Sequence, residues 1–195
     1  MLGFLGGTGP EGKGLALRYA VAGETVIIGS RDSQRAANIA RELADTTPEW
    51  IARMDQKSCS PGFLNITGAG NLEVAEKSDV VFITVPYEGQ KSLLGALEEA
   101  LADKLVINVV APLSFEKGRA KAIHVDEGSA AEQAQVLLPR SVVVGAFQNL
   151  SATQLLDPSH SMNGDVVVCG DDKEAKTHVM DMVTMIKDLR AIDGG

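Results

Sequence analysis

Short apolar runs recur along most of the chain, and each is followed by a longer segment whose apolar residues have helical spacing. Apolar runs of this length, bounded by glycine, proline or polar residues, are typical of buried strands. They cover residues 2–5, 25–29, 64–67, 79–85, 105–110 and 141–147. Regular alternation of strand and helix predicts an α/β fold, namely a Rossmann-like doubly wound parallel sheet that binds ligands at the carboxyl ends of its strands.

Polar residues and glycines indicate where the intervening helices begin and end. Pro10 suits the first turn of a helix over 11–22, and Gly23 is its predicted C-terminal cap. A further helix is predicted over about 88–101. Three polar residues are predicted N-terminal caps: Asp32 for a helix over 33–43, Asn71 for a helix ending at 77, and Ser129 for a helix ending at 138.

The last part of the chain has a smaller pattern of strand, helix and strand. Residues 165–169 predict a strand, 173–187 an amphipathic helix, and 190–192 a last short strand. We therefore expect a dinucleotide-binding Rossmann domain over 1–150 and a small α/β unit over 151–195. The segment 45–62 is predicted to be an irregular excursion.

Composition agrees with a compact enzyme domain. With 195 residues and 45% hydrophobic content, the chain can bury a sufficient core as one main domain. Its net charge of −8 opposes nonspecific binding to nucleic acid or to anionic membranes. Cys59 and Cys169 lack metal-site spacing and predict free thiols, with Cys169 in the core. We expect a cytoplasmic protein, because the first strand leaves no room for a signal peptide and no run is long enough to span a membrane.

A glycine-rich turn follows the first predicted strand. Gly7, Gly9 and Gly12 have the G-x-G-x-x-G spacing, which permits a tight turn, close approach of a pyrophosphate to the backbone, and close packing of helix on strand. The free amides of the following helix and its dipole favour an anion. A glycine-rich helix start without a ligand is the alternative, but the strand before and the helix after favour a dinucleotide site.

The end of the second predicted strand bears on which dinucleotide binds. Ser30 and Arg31 lie where NAD-binding proteins usually carry an acid, and Arg35 is one helical turn further on. Small polar and basic groups favour a 2′-phosphate, so the sequence favours NADP. Asp32 could instead bind the ribose hydroxyls, and two arginines can also be a solvated helix start.

The ends of three later strands are predicted to line the nicotinamide half of the crevice. Thr84 and Pro86, then Pro112, and then Gln148 with Leu150 follow successive strands of the predicted sheet. The alternative for each proline is strand termination, because proline cannot continue a ladder.

Four segments together resemble a known family. Residues 6–18, 29–31, 147–152 and 168–172 read GGTGPEGKGLALR, GSR, FQNLSA and VCGDD. They are similar to the NADPH-dependent reductases of coenzyme F-420 (also written F420), an 8-hydroxy-5-deazaflavin. The resemblance covers nearly the whole chain and implies an oxidoreductase with NADP(H) as cofactor and coenzyme F-420 as co-substrate.

The resemblance also implies roles for individual residues. Thr8 would contact the NADP phosphates, and Ser30, Arg31 and Arg35 would contact the 2′-phosphate. On the ring side, the implied contacts are Pro86 with the nicotinamide region, Gln148 and Leu150 with the deazaflavin, and Arg190 as a basic group near it. A homodimer is implied as well. Members of the family carry a further helical segment past the equivalent of residue 195, so we expect a neighbouring chain to complete the pocket wall or activity to be reduced.

Direct hydride transfer between two rings explains why no catalytic acid or base stands out. The protein needs mainly to stack the rings and to exclude water, and backbone amides over 148–151 are candidates to stabilise the reduced deazaflavin. Two alternatives remain open at this point. They are an imine or ketone reductase on the same scaffold, and a non-catalytic NADP sensor or partner-binding module.

Overall fold

A computed structural model describes residues 1–51, 64–116 and 118–195, with the side chains of 46–51 and 115 left out. The strands are β1 (Leu2–Leu5), β2 (Val26–Ser30), β3 (Ile66–Gly70), β4 (Val80–Ile83), β5 (Leu105–Asn108), β6 (Leu113–Glu116), β7 (Arg119–Ala122), β8 (Val142–Gly145), β9 (Gly164–Val168) and β10 (Leu189–Asp193). The helices are α1 (Pro10–Val21), α2 (Ser33–Ile51), α3 (Asn71–Lys77), α4 (Tyr87–Leu97), α5 (Ala130–Leu137), α6 (Ala152–Leu155) and α7 (Lys173–Thr184).

The central sheet has the predicted doubly wound topology. Six strands are hydrogen-bonded in the order β3-β2-β1-β4-β5-β8, and every neighbouring pair is parallel. The chain reverses its direction of winding between β1 and β4, where Leu5 is level with Ile83. A crevice for a ligand is therefore expected at the carboxyl ends of these two strands.

Most predicted helix signals are confirmed, but Asn71 is not an N-cap. Pro10 lies at the start of α1, and the Asp32 carboxylate accepts hydrogen bonds from the amides of Gln34 and Arg35 in α2. Ser129 Oγ accepts from the amide of Glu132 in α5. Asn71 is the first residue of α3, whose N-cap is Gly70, and the Asn71 side chain binds elsewhere.

Several boundaries differ from the sequence prediction. The third strand begins two residues later than predicted, at Ile66, and α4 ends at Leu97 rather than near 101. Helix α2 continues to Ile51, so the start of the predicted excursion over 45–62 is helical, whereas the rest of it, with Cys59, lies outside the described residues. Cys169 is exposed and not in the core as predicted.

The β6–β7 hairpin was not predicted. Leu113 pairs with Ala122 and Glu116 with Arg119, in an antiparallel arrangement. All four residues of β7 are exposed, so this strand has no buried face to produce apolar alternation in the sequence. Helix α6 was missed because four residues are too few to show helical periodicity.

An aromatic cluster forms the centre of the core on one face of the sheet. Phe4, Tyr19, Phe82 and Phe147 are fully buried, and Phe4 stacks on Phe82 with ring centroids 4.5 Å apart. Residues after 150 complete this core, since Val166 and Val183 belong to the same buried cluster. Among the described residues, no helix has both the length and the apolar character needed to cross a membrane.

Candidate cofactor-binding site

In the turn between β1 and α1, the backbone at Gly9 is open and the backbone at Gly12 is tightly packed. A Cβ atom on Gly9 would meet no atom within 4 Å, so this backbone is accessible from the sheet edge. A Cβ on Gly12 would come within 2.6 Å of both Gly7 Cα and Thr84 Oγ1. Only glycine therefore lets α1 approach the turn this closely. This geometry fits a pyrophosphate on the amides that start α1.

Asn71 holds the turn from the neighbouring part of the sheet. Its Oδ1 accepts a hydrogen bond from the amide of Gly6 at 3.1 Å, and Asn71 is buried. Gly6 has a φ of +69°, a conformation that favours glycine. Sequence reasoning missed this role, because a polar residue before a helix has the same local signal as an N-cap.

The end of β2 presents two exposed cations, Arg31 and Arg35. Neither guanidinium group forms a hydrogen bond or ion pair with any described residue, and the bond that Arg35 makes to Asp32 comes from its backbone amide. Asp32 Oδ1 already accepts from two amides of α2, and the buried Ser30 hydroxyl accepts from the amide of Asp32 at 3.2 Å. The Asp32 carboxylate is thus held by the start of α2, whereas the guanidinium groups of Arg31 and Arg35 are available to an anion.

The ends of β4 and β5 bring the next predicted residues to the same edge. Thr84 donates its hydroxyl hydrogen to the carbonyl of Leu5 at 2.9 Å, which ties the ends of β4 and β1 together. Pro86 is exposed and is the N-cap of α4, and Thr8 in the turn is partly buried. Pro112 immediately precedes the β6–β7 hairpin and accepts a hydrogen bond from the amide of Ile123.

A buried network of amide side chains lies beneath the ends of β5 and β8. Asn108 is fully buried and donates to Gln90 Oε1 at 2.8 Å and to the carbonyl of Ala130. Gln90 donates in turn to the Gln133 side chain, and Gln133 donates to the Tyr87 hydroxyl. Because buried amides need partners, this network fixes α4 and α5 against β5. Its members are far apart in sequence, so no local pattern indicates it.

The segment after β8 is held in place by a strained residue. Phe147 has a φ of +73°, which costs a bulky side chain about 1–3 kcal/mol and persists because the ring is completely buried. Gln148 then donates to the carbonyl of Asn108 at 2.8 Å. The amide of Leu150 donates to the carbonyl of Phe147, so this amide is already satisfied internally.

Arg18 anchors the following residues to α1. Its guanidinium group donates to the carbonyls of Leu155, Gln154 and Asp157 at 3.1, 2.7 and 2.6 Å. Burial lowers the pKa of Arg18 and the charge of Asp157 opposes this effect. A buried arginine on three carbonyls fixes the end of α6, and with it the segment that begins at Phe147.

Arg190 is engaged by an acid near this segment. Its guanidinium group forms two hydrogen bonds with the Asp165 carboxylate, at 2.7 and 3.0 Å. Asn149 donates to the backbone carbonyl of the same Asp165. Arg190 is thus connected to the 148–151 segment through one residue, and its charge is partly compensated.

An open groove of about 1,100 Å³ runs along the exposed edge of β8. Pro112 and Gln148 line it, together with Cys169 and the acidic side chains of Asp171 and Asp172. Two of the predicted ring-side residues therefore face a single open space.

Comparison with known proteins agrees with this geometry. A family model described as "NADP oxidoreductase coenzyme F420-dependent" matches residues 1–112. The F420-dependent NADP reductase of Methanothermobacter marburgensis is 37% identical over 195 residues, which cover 98% of this chain and 82% of that protein. The chain belongs to this family.

Other members of the F420-dependent NADP oxidoreductase family are similar in sequence and in fold. The F420-dependent NADP reductase of Methanocaldococcus jannaschii is 36% identical over all of this chain and 83% of that protein. A crystal structure of a candidate F420-dependent NADP reductase from an Arthrobacter species has a TM-score of 0.78 and 26% identity. The structural match covers all of this chain and 84% of the Arthrobacter chain. The resemblance inferred from the sequence motifs is thus confirmed.

Proposed function

We propose that this protein transfers a hydride between NADP(H) and coenzyme F-420. Relatives at 36–37% identity over nearly its full length are named F420-dependent NADP reductases. The observation that carries the choice of NADP is the pair of exposed guanidinium groups at the end of β2, which no described residue binds, beside the Asp32 carboxylate that the start of α2 holds.

The phosphate-binding residues in this proposal lie on the β1–β2 half of the sheet edge. Gly7, Thr8, Gly9 and Gly12 form the turn that receives the pyrophosphate. Ser30, Arg31 and Arg35 surround the 2′-phosphate. Charge-assisted hydrogen bonds from arginine are the strong contacts in such a site, and NAD offers no phosphate to receive them.

The ring-side residues in this proposal lie on the β4–β8 half. They are Thr84, Pro86, Pro112, Gln148, Leu150 and Arg190. When bound, the two coenzymes would supply the redox chemistry, in which two electrons and one proton pass together as a hydride, and reduction of the deazaflavin takes up one further proton from solvent. The residues of the protein hold the rings in register and exclude water, which accounts for much of the acceleration in such reactions.

The ligands bound by each part of the chain, the cellular location of the protein and its oligomeric state are also proposals. We propose that residues 1–150 bind NADP(H) and that residues 151–195 complete the deazaflavin pocket. We further propose a cytoplasmic homodimer. Light scattering on the purified protein tests the assembly, with twice the 20.5 kDa chain mass expected and a single chain mass contradicting it.

A spectroscopic assay tests the proposed activity. Reduced F-420 is mixed with NADP⁺ or with NAD⁺, and the return of the oxidised deazaflavin absorbance is followed. We expect transfer with NADP⁺ and at least about tenfold slower transfer with NAD⁺, because the arginine contacts are absent there. Folded protein that binds NADP⁺ without transfer would favour the sensor alternative. Reduction of an imine or ketone by NADPH without any use of F-420 would favour the other alternative, and the comparisons favour neither.

A further inference from the structure

Glu11 is a partly buried acid in the first turn of α1, and the phosphate-binding turn does not explain it. Its Oε1 atom is enclosed and has no hydrogen-bond partner among the described residues. Buried polar atoms nearly always have partners, so an enclosed carboxyl oxygen without one, beside a ligand crevice, is available to a bound group. Burial raises the pKa of Glu11 to about 7, so both protonation states are populated near neutral pH.

The face of α1 that carries Glu11 is directed toward the chain after β8. Glu11, Gly14 and Arg18 share this face, because they are three, four and seven residues apart. A Cβ on Gly14 would meet the Leu155 side chain, and Arg18 donates to the carbonyl of Leu155. Helical side chains lean toward the N-terminus, so the Glu11 carboxyl extends from this face toward the glycine turn and the start of α6.

This direction is the nicotinamide side of the proposed site. Arg31 and Arg35 mark the adenosine side, at the end of β2. Strand order places β4, β5 and β8 on the opposite side of β1, so a dinucleotide that crosses the turn continues toward those strands. Glu11 faces the residues after β8 and therefore lies on the side where the nicotinamide ring would be.

Resting on the proposed function, we propose that Glu11 discriminates between the two redox states of the nucleotide. The nicotinamide ring of NADP⁺ carries one positive charge that NADPH lacks, whereas the phosphates are the same in both. When NADP⁺ binds, the Glu11 carboxyl gives its proton to solvent and the resulting carboxylate pairs with the cationic ring. Binding of NADPH, whose ring is neutral, leaves the protonation of Glu11 unchanged. Binding moves no electrons, and the proton is the only atom exchanged with solvent.

The charged groups on the surrounding elements leave this role to Glu11. Burial alone accounts for its raised pKa, with no contribution from a neighbouring charge. The other charged or titratable side chains on the neighbouring elements are Lys13, Arg18 and Tyr19 of α1, Tyr87, Glu88 and Lys91 of α4, and Asp157 and His160 after α6. Arg18 is bound to three carbonyls, and Glu88 is exposed. The 2′-phosphate also titrates, but it does so equally in NADP⁺ and NADPH and cancels in their ratio.

The test compares binding of the two nucleotides at several pH values. Dissociation constants for NADP⁺ and NADPH are measured between pH 6 and pH 8 for the unmodified protein, for Glu11→Gln and for Glu88→Gln. Glu88 is a matched control, since it is an acid in the first turn of α4 at the same sheet edge. Thermal unfolding of each variant verifies that it folds.

For the unmodified protein we expect affinity for NADP⁺, relative to NADPH, to rise about fivefold from pH 6 to pH 8. This is the linkage effect when the bound cation lowers the Glu11 pKa by about one unit from its free value. Glu88→Gln should show the same rise, and Glu11→Gln should hold the ratio constant within about twofold. Calorimetry in buffers of different ionisation enthalpy should detect about 0.4 more proton released at pH 7 by NADP⁺ than by NADPH.

Two negative outcomes are distinguishable. A constant ratio in the unmodified protein, or a rise that persists in Glu11→Gln, would overturn the role of Glu11 while leaving the proposed function intact. Failure of the folded protein to bind either nucleotide would overturn the proposed function, and this inference with it.

Discussion

The two halves of the sheet edge are built in different ways. On the β1–β2 half, the groups that face solvent are open backbone and the exposed guanidinium groups of Arg31 and Arg35, which have no partner in the part of the chain that the structure describes. On the β4–β8 half, Asn108 is buried in an amide network and Arg18 is bound to backbone carbonyls. The first half offers charge and amides directly to a ligand, whereas the second supplies a rigid shape. Substitution of the open positions on the first half should therefore affect mainly binding, whereas substitutions on the second half should affect stability together with ring binding.

The largest expected effect is on the β1–β2 half, at Gly9. We expect Gly9→Val to weaken binding of both NADP⁺ and NAD⁺ more than about 100-fold, because its side chain would occupy the space that the pyrophosphate needs. Calorimetric titration measures this loss. The fold should tolerate the change with a loss of about 1 kcal/mol, since the Cβ meets no neighbour and only a helix cap is weakened.

Gly12→Val is the matched control for Gly9→Val. Its side chain would meet the backbone of Gly7, so we expect it to lower the free energy of unfolding by about 1–3 kcal/mol in addition to blocking binding. If both variants lost stability equally, Gly9 would not be an open position.

The next largest effect distinguishes binding of NADP⁺ from binding of NAD⁺. Arg31→Ala should weaken binding of NADP⁺ by about 1.5–3 kcal/mol, roughly 10- to 150-fold, and leave NAD⁺ within about twofold. Arg41→Ala, further along α2, should change neither affinity. Equal losses for NADP⁺ and NAD⁺ in Arg31→Ala would refute the assignment of the 2′-phosphate.

On the β4–β8 half, Arg18→Met tests whether the protein contributes a rigid shape to ring binding. Three carbonyls, one of them in a buried and two in partly buried hydrogen bonds, would lose their donor, so we expect the free energy of unfolding to fall by about 1.5–3 kcal/mol. The KM for F-420 should rise several-fold, while the affinity for NADP⁺ stays within about twofold. Arg140→Met, at an exposed position paired with Glu99, should leave the midpoint of chemical denaturation unchanged.

The smallest effect concerns the pH dependence of stability. The folded protein holds the Glu11 proton up to about pH 7, whereas the unfolded chain releases it near the ordinary carboxyl value of about 4.3. Its stabilising contribution is therefore complete below that lower value and is lost as the pH rises through about 7. Relative to Glu11→Gln, the unmodified protein should lose about 1 kcal/mol between pH 4.5 and pH 8, a value reduced by solvent screening. A difference that is independent of pH would contradict the burial of this acid.

The contrast between the two halves of the sheet edge also explains which features could be predicted from the sequence. The turn and the arginines are local signals, because Gly7, Gly9, Gly12 and Arg31 lie next to the strands that place them. Strand order also followed from local patterns, since alternation of strand and helix restricts the topology. The Asn108 network, the Arg18 contacts and the left-handed Phe147 depend on residues distant in sequence. The Asn71 contact with Gly6 was missed for the same reason, and Asn71 was wrongly predicted to be a cap.

Direct transfer between two rings on one sheet edge is the central claim, and isotope labelling tests it most directly. The protein is given NADPH carrying deuterium at the transferred position of the nicotinamide ring, together with oxidised F-420 in ordinary water. We predict that the label appears on the carbon of the deazaflavin that receives the hydride, as measured by mass spectrometry or NMR of the reduced product. Label that appears in the water instead, with an unlabelled deazaflavin product, would contradict the account.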